Sequence, residues 1–171
     1  MWKMRLLLGL LLLVVSSEAK DLRPDISREA AKCATAVQQE NASALLVFMS
    51  GRVVQQSGGR AAVIAALKDQ FEEARKLGVE RIEIIPGVAG APKIIGHWLL
   101  SLLPVTAVAH SAHVVAKQET HAIALSADGG RHWSFVPLYQ TSQAELNGWF
   151  PEFRGRFTIP AEASPQIQLV Y

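Results

Sequence analysis

The chain has 171 residues, of which half are hydrophobic, with 17 basic side chains, 15 acidic side chains and one cysteine. The charges of both signs are interspersed, so nucleic acid is not an expected partner, because phosphate binding needs a clustered basic face. A single cysteine excludes an intramolecular disulfide, and the length suits one domain with its own hydrophobic core.

Residues 1–19 have the pattern of a secretory signal peptide. Lys3 and Arg5 precede an apolar run from Leu6 to Val15, and small residues follow as far as Ala19. The run is about half of the roughly 20 residues that a membrane-spanning helix needs. The sequence therefore predicts export to the periplasm or the extracellular space, a single mature domain over residues 20–171, and no membrane span after the signal is removed.

Two helices are predicted at the start of the mature chain. Asp25 is expected to cap a helix that extends to about Gln39, in which Cys33 lies on the apolar stripe as a buried and inert thiol. Asn41 is expected to cap a short second helix from Ala42 to Met49, which Gly51 would end. Asn41 also begins a glycosylation sequon, which matters only in a eukaryotic source.

The next segment combines a predicted strand with the clearest helix. Residues 52–56 are expected to form a short strand that Ser57-Gly58-Gly59 closes. The helix from Arg60 to Leu77 has an apolar face that repeats every three or four residues, and Gly78 stops it. The period then changes to two, so residues 79–85 predict a strand that ends at Pro86-Gly87.

Residues 94–115 are predicted to form one long strand bent at Pro104. Both of its faces are apolar, with Leu99, Leu103, Val105 and Ala107 on one face and Trp98, Leu100, Leu102 and Val108 on the other. A strand of this kind must be covered on both sides. Because the helices cover one face, we expect a second subunit on the other, and hence a homodimer.

The string S-x-D-x-G-x-x-W, from Ser126 to Trp133, predicts a turn between strands over residues 121–127 and 131–136. It matches the Asp-box of sialidases and related propellers, but it occurs once, in a chain too short for a propeller. We therefore interpret it as a structural turn, with Trp133 packed on the sheet. A short helix with a Ser142–Glu145 capping box and an extended C-terminal strap over residues 157–171 complete the chain.

The histidines are the strongest candidates for chemistry. His110 and His113 are an odd number of residues apart, so on a strand they would point to opposite sides and no metal site is expected. His121 aligns with Ile123 and Leu125, which favours a core histidine over a general base. No serine lies in a nucleophile-elbow context, so a hydrolase triad is not expected. No cofactor is expected either, because no Gly-rich loop leads from a strand into a helix to hold a nucleotide.

The order of elements resembles the nuclear-transport-factor-two-like (SnoaL-like) superfamily, and in particular its small exported members. The matching features are Gly58-Gly59 before the long helix, Leu103-Pro104-Val105 in the bent strand, Ser126 to Phe135, and Phe150-Pro151. The resemblance implies an α+β cone, in which two or three N-terminal helices close over a bent antiparallel sheet and leave an apolar pocket, often in a dimer.

Three function classes follow from this resemblance and from the residues. We favour non-catalytic binding of a small apolar ligand or a partner in the conical pocket, with His113, His121 and Trp133 nearest the cavity. One alternative is a small isomerase or dehydratase with His121 as general base. The other alternative is a structural envelope protein whose cavity is filled by its own side chains.

Overall fold

A computed structural model describes residues 20–139, 141–161 and 163–169 of the chain. The predicted signal peptide lies outside these described residues. Within them, no helix combines the length and the apolar character needed to cross a membrane.

In the described residues, five α-helices and six strands form an α+β fold, in which the helices pack against a curled antiparallel sheet, as the sequence predicted. The helices are α1 (Arg23–Gln38), α2 (Ala42–Leu45), α3 (Gly51–Gln56), α4 (Arg60–Lys76) and α5 (Gln143–Trp149). Short 3₁₀ turns follow α2 (Leu46–Phe48) and α5 (Pro151–Phe153). The strands are β1 (Val79–Pro86), β2 (Lys93–Ile95), β3 (Trp98–Ser111), β4 (Val114–Ser126), β5 (Ser134–Pro137) and β6 (Gln166–Leu169).

The sheet has the order β1-β3-β4-β5, and every pair is antiparallel. The short strand β2 pairs with the first residues of β3, and β6 pairs with the first residues of β4. The long β3–β4 hairpin is therefore the centre of the sheet. One end of this hairpin is its own turn at residues 112–113, and the other end adjoins the Ser126–Trp133 turn.

Two hydrophobic clusters cover the two faces of the sheet near that second end. On the face that we call the α1 face, Ile26 and Ala30 of α1 pack with Leu103, Trp133 and Phe135. On the opposite face, which we call the α5 face, the chain's own C-terminal elements pack over the strands. Leu146, Phe150 and Phe153 are fully buried there, against Trp98, Leu100, Ile123, Leu125 and Val136.

The chain itself covers part of the sheet face on which the sequence predicted a second subunit. The sequence left Trp98, Leu100 and Leu102 without a cover, but α5 and the 3₁₀ turn that follows it supply one within the same chain. Farther along the same face, Val108 has Glu83 and Lys117 as its cross-strand partners. The uncovered part of the α5 face is therefore more polar than the sequence suggested.

The N-terminal helices differ from the prediction in their boundaries. Helix α1 begins after Leu22 and takes Pro24 into its first turn, where the missing N–H costs no hydrogen bond. Asp25 therefore lies inside the helix rather than at its cap, and its carboxylate pairs with Lys20 (2.7 Å) and Arg28 (2.8 Å). The prediction for Asn41 is confirmed, because its Oδ1 accepts the Ala44 N–H at 3.0 Å.

The strand predicted over residues 52–56 is wrong, because this segment is helix α3 and Gly51 begins it. Val53 and Val54 favour a strand by intrinsic preference, but tertiary packing overrides that preference. Val53 contributes to the cluster on the α5 face, and Val54 packs with Leu46 and Val63 between the helices. A helix directs these neighbouring side chains into two different clusters.

The single strand predicted over residues 94–115 is also wrong, because two turns divide it. Gly96 adopts a positive φ of 64°, which permits the tight turn between β2 and β3. Strand β3 continues through Pro104 without interruption. Along one edge of β3, β2 pairs with residues 98–100 and β1 pairs with residues 105–111. Pro104 therefore lies between these two ladders, where its missing N–H removes no strand pairing.

The C-terminal half brings two further corrections. The strand predicted over residues 121–127 is the last part of the longer β4, and the strand predicted over residues 131–136 begins only at Ser134. The strap over the last residues contains β6, which the sequence did not predict. The capping box of α5 is confirmed, with the Ser142 side chain accepting the Glu145 N–H.

Candidate binding site at the end of the sheet

The three residues that were predicted to lie near a cavity are far apart in the fold. His113 is exposed in the turn between β3 and β4, whereas Trp133 is buried in the cluster beneath α1. His121 is half-buried and lies on the α5 face, with Ile123 and Leu125. The structure therefore brings no two of them into one site.

His121 does line a small hollow on the α5 face. This hollow has a volume of about 220 Å³ and is open to solvent, and Pro104, Thr106, Glu119 and Ile85 also line it. Glu119 is the nearest titratable neighbour in the sequence, two residues along the same strand face. This hollow is open to water, whereas an enclosed active site excludes water from the reaction.

The Asp-box turn is committed to its own hydrogen bonds. The Asp128 carboxylate accepts the N–H groups of Arg131 and His132 at 3.0 Å, and the Ser126 hydroxyl donates to it at 2.8 Å. Together with the side-chain contact from His132, these bonds hold the pKa of Asp128 well below its usual range. Gly129 and Gly130 adopt the predicted positive φ. The turn is therefore a structural device, as the sequence indicated.

The thiol of Cys33 also has a structural environment. It packs against the cluster beneath α1, and burial raises its pKa to about 11. A thiol protonated at neutral pH is a poor nucleophile and a poor metal ligand. Among the described residues, no group of three His, Cys, Asp or Glu side chains could hold a metal ion.

A second hollow lies at the other end of the sheet, beside the β3–β4 turn, and we call it the terminal pocket. Its volume is about 280 Å³, and its lining is mainly aliphatic: Leu77, Val79, Ala109, Val114 and Ala116, with Ser111 and His110 at the border. Leu77, which belongs to this lining, is 81% exposed.

Strand register explains why a hollow forms there. Ala109 of β3 and Ala116 of β4 are cross-strand partners, so two methyl groups form the floor. Larger residues flank them on both sides in the same row, because Ile82 of β1 pairs with Ala109 and Ile167 of β6 pairs with Ala116. In this row, the small side chains of the two alanines therefore lie in the middle, and the larger side chains of the two isoleucines lie at the edges.

The charged side chains near this end belong to the other face of the sheet. Glu83 lies 3.5 Å from the Nε2 atom of His110, and an Arg81 guanidinium nitrogen lies 3.1 Å from the same atom. Lys117 pairs with Glu119 at 3.2 Å. Because Glu83, Lys117 and Glu119 alternate with the residues of the pocket floor, they project to the α5 face and leave the terminal pocket apolar.

Sequence reasoning missed the terminal pocket because its floor depends on strand pairing. Ala109 and Ala116 are unremarkable in the sequence, and they become neighbours only when β3 pairs with β4. A usable signal was the run of small residues on either side of the His110–His113 turn, once that turn is recognised as a hairpin.

Comparison with known proteins adds no further assignment, since no family model, curated protein or solved structure matches this chain.

Proposed function

We propose that this chain is an exported, non-catalytic domain of the nuclear-transport-factor-two-like kind that binds a small apolar ligand in the terminal pocket. The observation that carries the proposal is the aliphatic hollow of about 280 Å³ at one end of the sheet. Small-molecule sites are concave and mostly apolar, and this volume lies just below their common range of about 300–1,000 Å³.

The rest of the α1 face supports this choice of location. Beneath α1, the space that a conical pocket would occupy is filled by Ile26, Leu103, Trp133 and Phe135. On the described part of the α1 face, space for a ligand remains at the terminal pocket, where the helix cover ends. A small ligand fits this hollow better than a protein partner does, because a partner surface would be larger and flatter.

Export is part of the same proposal and depends on the pattern of residues 1–19. An apolar run that follows two basic residues and leads to small residues is typical of a cleaved leader. A periplasmic or extracellular location would give the domain access to apolar compounds outside the cytoplasm.

A fluorescent probe tests the binding proposal directly. N-phenyl-1-naphthylamine is neutral and apolar, and its emission rises when it leaves water, so the purified protein is expected to bind it saturably. The substitution Ala109→Leu places a larger side chain on the pocket floor. It should lower the affinity for the probe by roughly tenfold or more, since it removes the space that the probe would fill.

The matched control is Ala61→Leu, which makes the same change on an exposed position of α4. It should leave probe binding unchanged, and circular dichroism should show both variants folded. If the native protein shows no saturable binding, or if both variants bind the probe equally well, the terminal pocket is not the site. The structural role with a filled cavity, which the packing beneath α1 favours, would then be the better assignment.

A further inference from the structure

The edge of the sheet around β2 carries exposed aliphatic side chains together with unpaired basic ones. We infer that this edge binds the protein to the surface of an anionic lipid bilayer. We call it the β2 edge, and it consists of residues 87–97 and the neighbouring turn at residues 154–156. The terminal pocket takes no part in this inference, because it lies at the opposite end of β3. Binding at a bilayer surface requires no membrane-spanning helix, since aliphatic side chains and basic residues together can supply it.

Residues 87–90 are held close against β3, which gives Val88 a defined outward position. The N–H of Gly87 donates to the carbonyl oxygen of Pro104 at 2.8 Å. A Cβ atom on this glycine would lie 3.2 Å from the same proline, so a larger residue would push the loop away from the strand. Ala89 is buried in the cluster beneath α1, whereas Val88 is 78% exposed. The exposure of Val88 is therefore built into the loop.

Strand β2 adds a second aliphatic side chain and a lysine to the same edge of β3. It pairs with residues 98–100, next to the part of β3 that the loop contacts. Ile94 is 78% exposed. Because side chains alternate along a strand, the neighbouring Lys93 projects to the α5 face, beside its cross-strand partner Leu100. Apolar and cationic groups therefore lie side by side along this edge.

Two arginines extend the positive charge next to β2. Arg154 and Arg156 are exposed in the turn that follows Phe153, and Phe153 is fully buried in the same cluster as Leu100. The arginines therefore lie on the side of the sheet to which Lys93 projects. Within the part of the chain that the structure describes, none of these three cations has an ion-pair partner.

The acidic residue closest in sequence to the two arginines does not cancel their charge. Glu152 lies against the β2–β3 turn, since a Cβ atom at Gly96 would be 3.7 Å from its side chain. The Arg52 guanidinium pairs with this carboxylate at 2.9 Å and so neutralises it. An anionic bilayer attracts each unpaired cation of the β2 edge, and the exposed aliphatic side chains gain by leaving water at the boundary between headgroups and acyl chains. A soluble polyanion would satisfy the cations only.

Co-sedimentation with lipid vesicles tests this inference on the purified protein. Vesicles of equal parts phosphatidylglycerol and phosphatidylcholine are compared with vesicles of phosphatidylcholine alone. We expect several-fold more protein on the anionic vesicles at about 0.01 M salt, and a decrease in binding towards 1 M salt, because screening shortens the range of the attraction from about 30 to about 3 Å. Absence of binding to the anionic vesicles at low salt, or equal binding to both kinds of vesicle, would overturn the inference.

Charge reversal tests the cationic part of the β2 edge. Lys93→Glu should lower the affinity for the anionic vesicles by roughly tenfold or more, because it changes the charge next to the bilayer by two units. The matched control Lys68→Glu makes the same change on the exposed face of α4 and should have a much smaller effect. Equal losses from the two variants would mean that only the net charge matters and that the β2 edge is not the contact.

The aliphatic part is tested with two identical substitutions. Val88→Ser should lower the affinity for the anionic vesicles several-fold, whereas Val47→Ser, at a position 73% exposed in the 3₁₀ turn after α2, should not. If Val88→Ser binds these vesicles as tightly as the native protein while Lys93→Glu does not, the edge is a site for a polyanion, and the lipid assignment is wrong. All of these variants should still bind N-phenyl-1-naphthylamine, so this inference and the proposed function can fail independently.

Discussion

At the scale of the residue, Asp128 shows how one side chain can fix a turn and make it sensitive to acid. Its carboxylate is the acceptor for two backbone N–H groups and the partner of His132. Because these contacts lower its pKa in the folded state, the ionised form stabilises the fold. This contribution is present above the ordinary pKa of an aspartate, near 4, and it is lost as the pH falls through the lowered value.

The variant Asp128→Asn should therefore cost stability in a pH-dependent way. The difference in melting temperature between the native protein and the variant is expected to be largest at neutral pH and to shrink as the pH falls below about 4. The control Asp69→Asn removes the same charge from the exposed face of α4 and should show little effect at any pH. A penalty for Asp128→Asn that is the same at pH 2 and pH 7 would contradict the proposed role of the carboxylate.

At the scale of the element, α5 and the 3₁₀ turn after it form a cover for the sheet. Phe150 is fully buried and meets Trp98 edge-on, with ring centroids 5.4 Å apart, and it stacks on Phe153 at 4.9 Å. Arg52 lies over the Trp98 ring and pairs with Glu152 at 2.9 Å, which connects this cover to α3. Aromatic packing of this kind contributes more than burial alone.

Replacing Phe150 by alanine should lower the free energy of unfolding by about 3–5 kcal/mol, because it leaves a cavity in a fully packed cluster. Urea titration followed by tryptophan fluorescence measures this loss. The control Phe71→Ala, at a half-buried position of α4, should cost clearly less. Equal losses from the two substitutions would mean that α5 is not an essential cover of the sheet.

Elements with a strong internal pattern could be predicted from the sequence, and elements that depend on distant partners could not. The helix expected over residues 60–77 is observed over residues 60–76, because an apolar face and a terminal glycine define it locally. Helix α3 was mistaken for a strand, because its two valines belong to clusters that form only after folding.

The candidate site was harder to predict for the same reason. A residue's face on a strand follows from parity, so His121 was correctly aligned with Ile123 and Leu125. Which face of the strand a helix then covers depends on the tertiary fold. An error in the position of a turn also shifts every cross-strand pair that follows it. The partnership of Ala109 with Ala116 therefore required the hairpin turn at residues 112–113.

At the scale of the whole molecule, part of the α5 face carries no helix from the described residues. Ile85 is 47% exposed there, and its cross-strand partner Thr106 lies beside it. Charged residues on β1, among them Arg81 and Glu83, protect its outer edge against pairing with another strand. If two copies associate, as the sequence led us to propose, the contact is expected to be face to face rather than edge to edge.

Sedimentation velocity over a range of protein concentrations tests this association. A homodimer predicts twice the monomer mass, and Ile85→Lys should shift the protein to the monomer, because burial between two sheets would remove the hydration of the lysine and replace an apolar contact with a charge. Val88→Lys changes a residue that is 78% exposed in the loop after β1 and should leave the dimer intact. A native protein that sediments as a monomer at every concentration would contradict the homodimer. The mixed polar residues around Val108 would then simply be a solvent-exposed sheet face, and the terminal pocket would be a site complete within one chain.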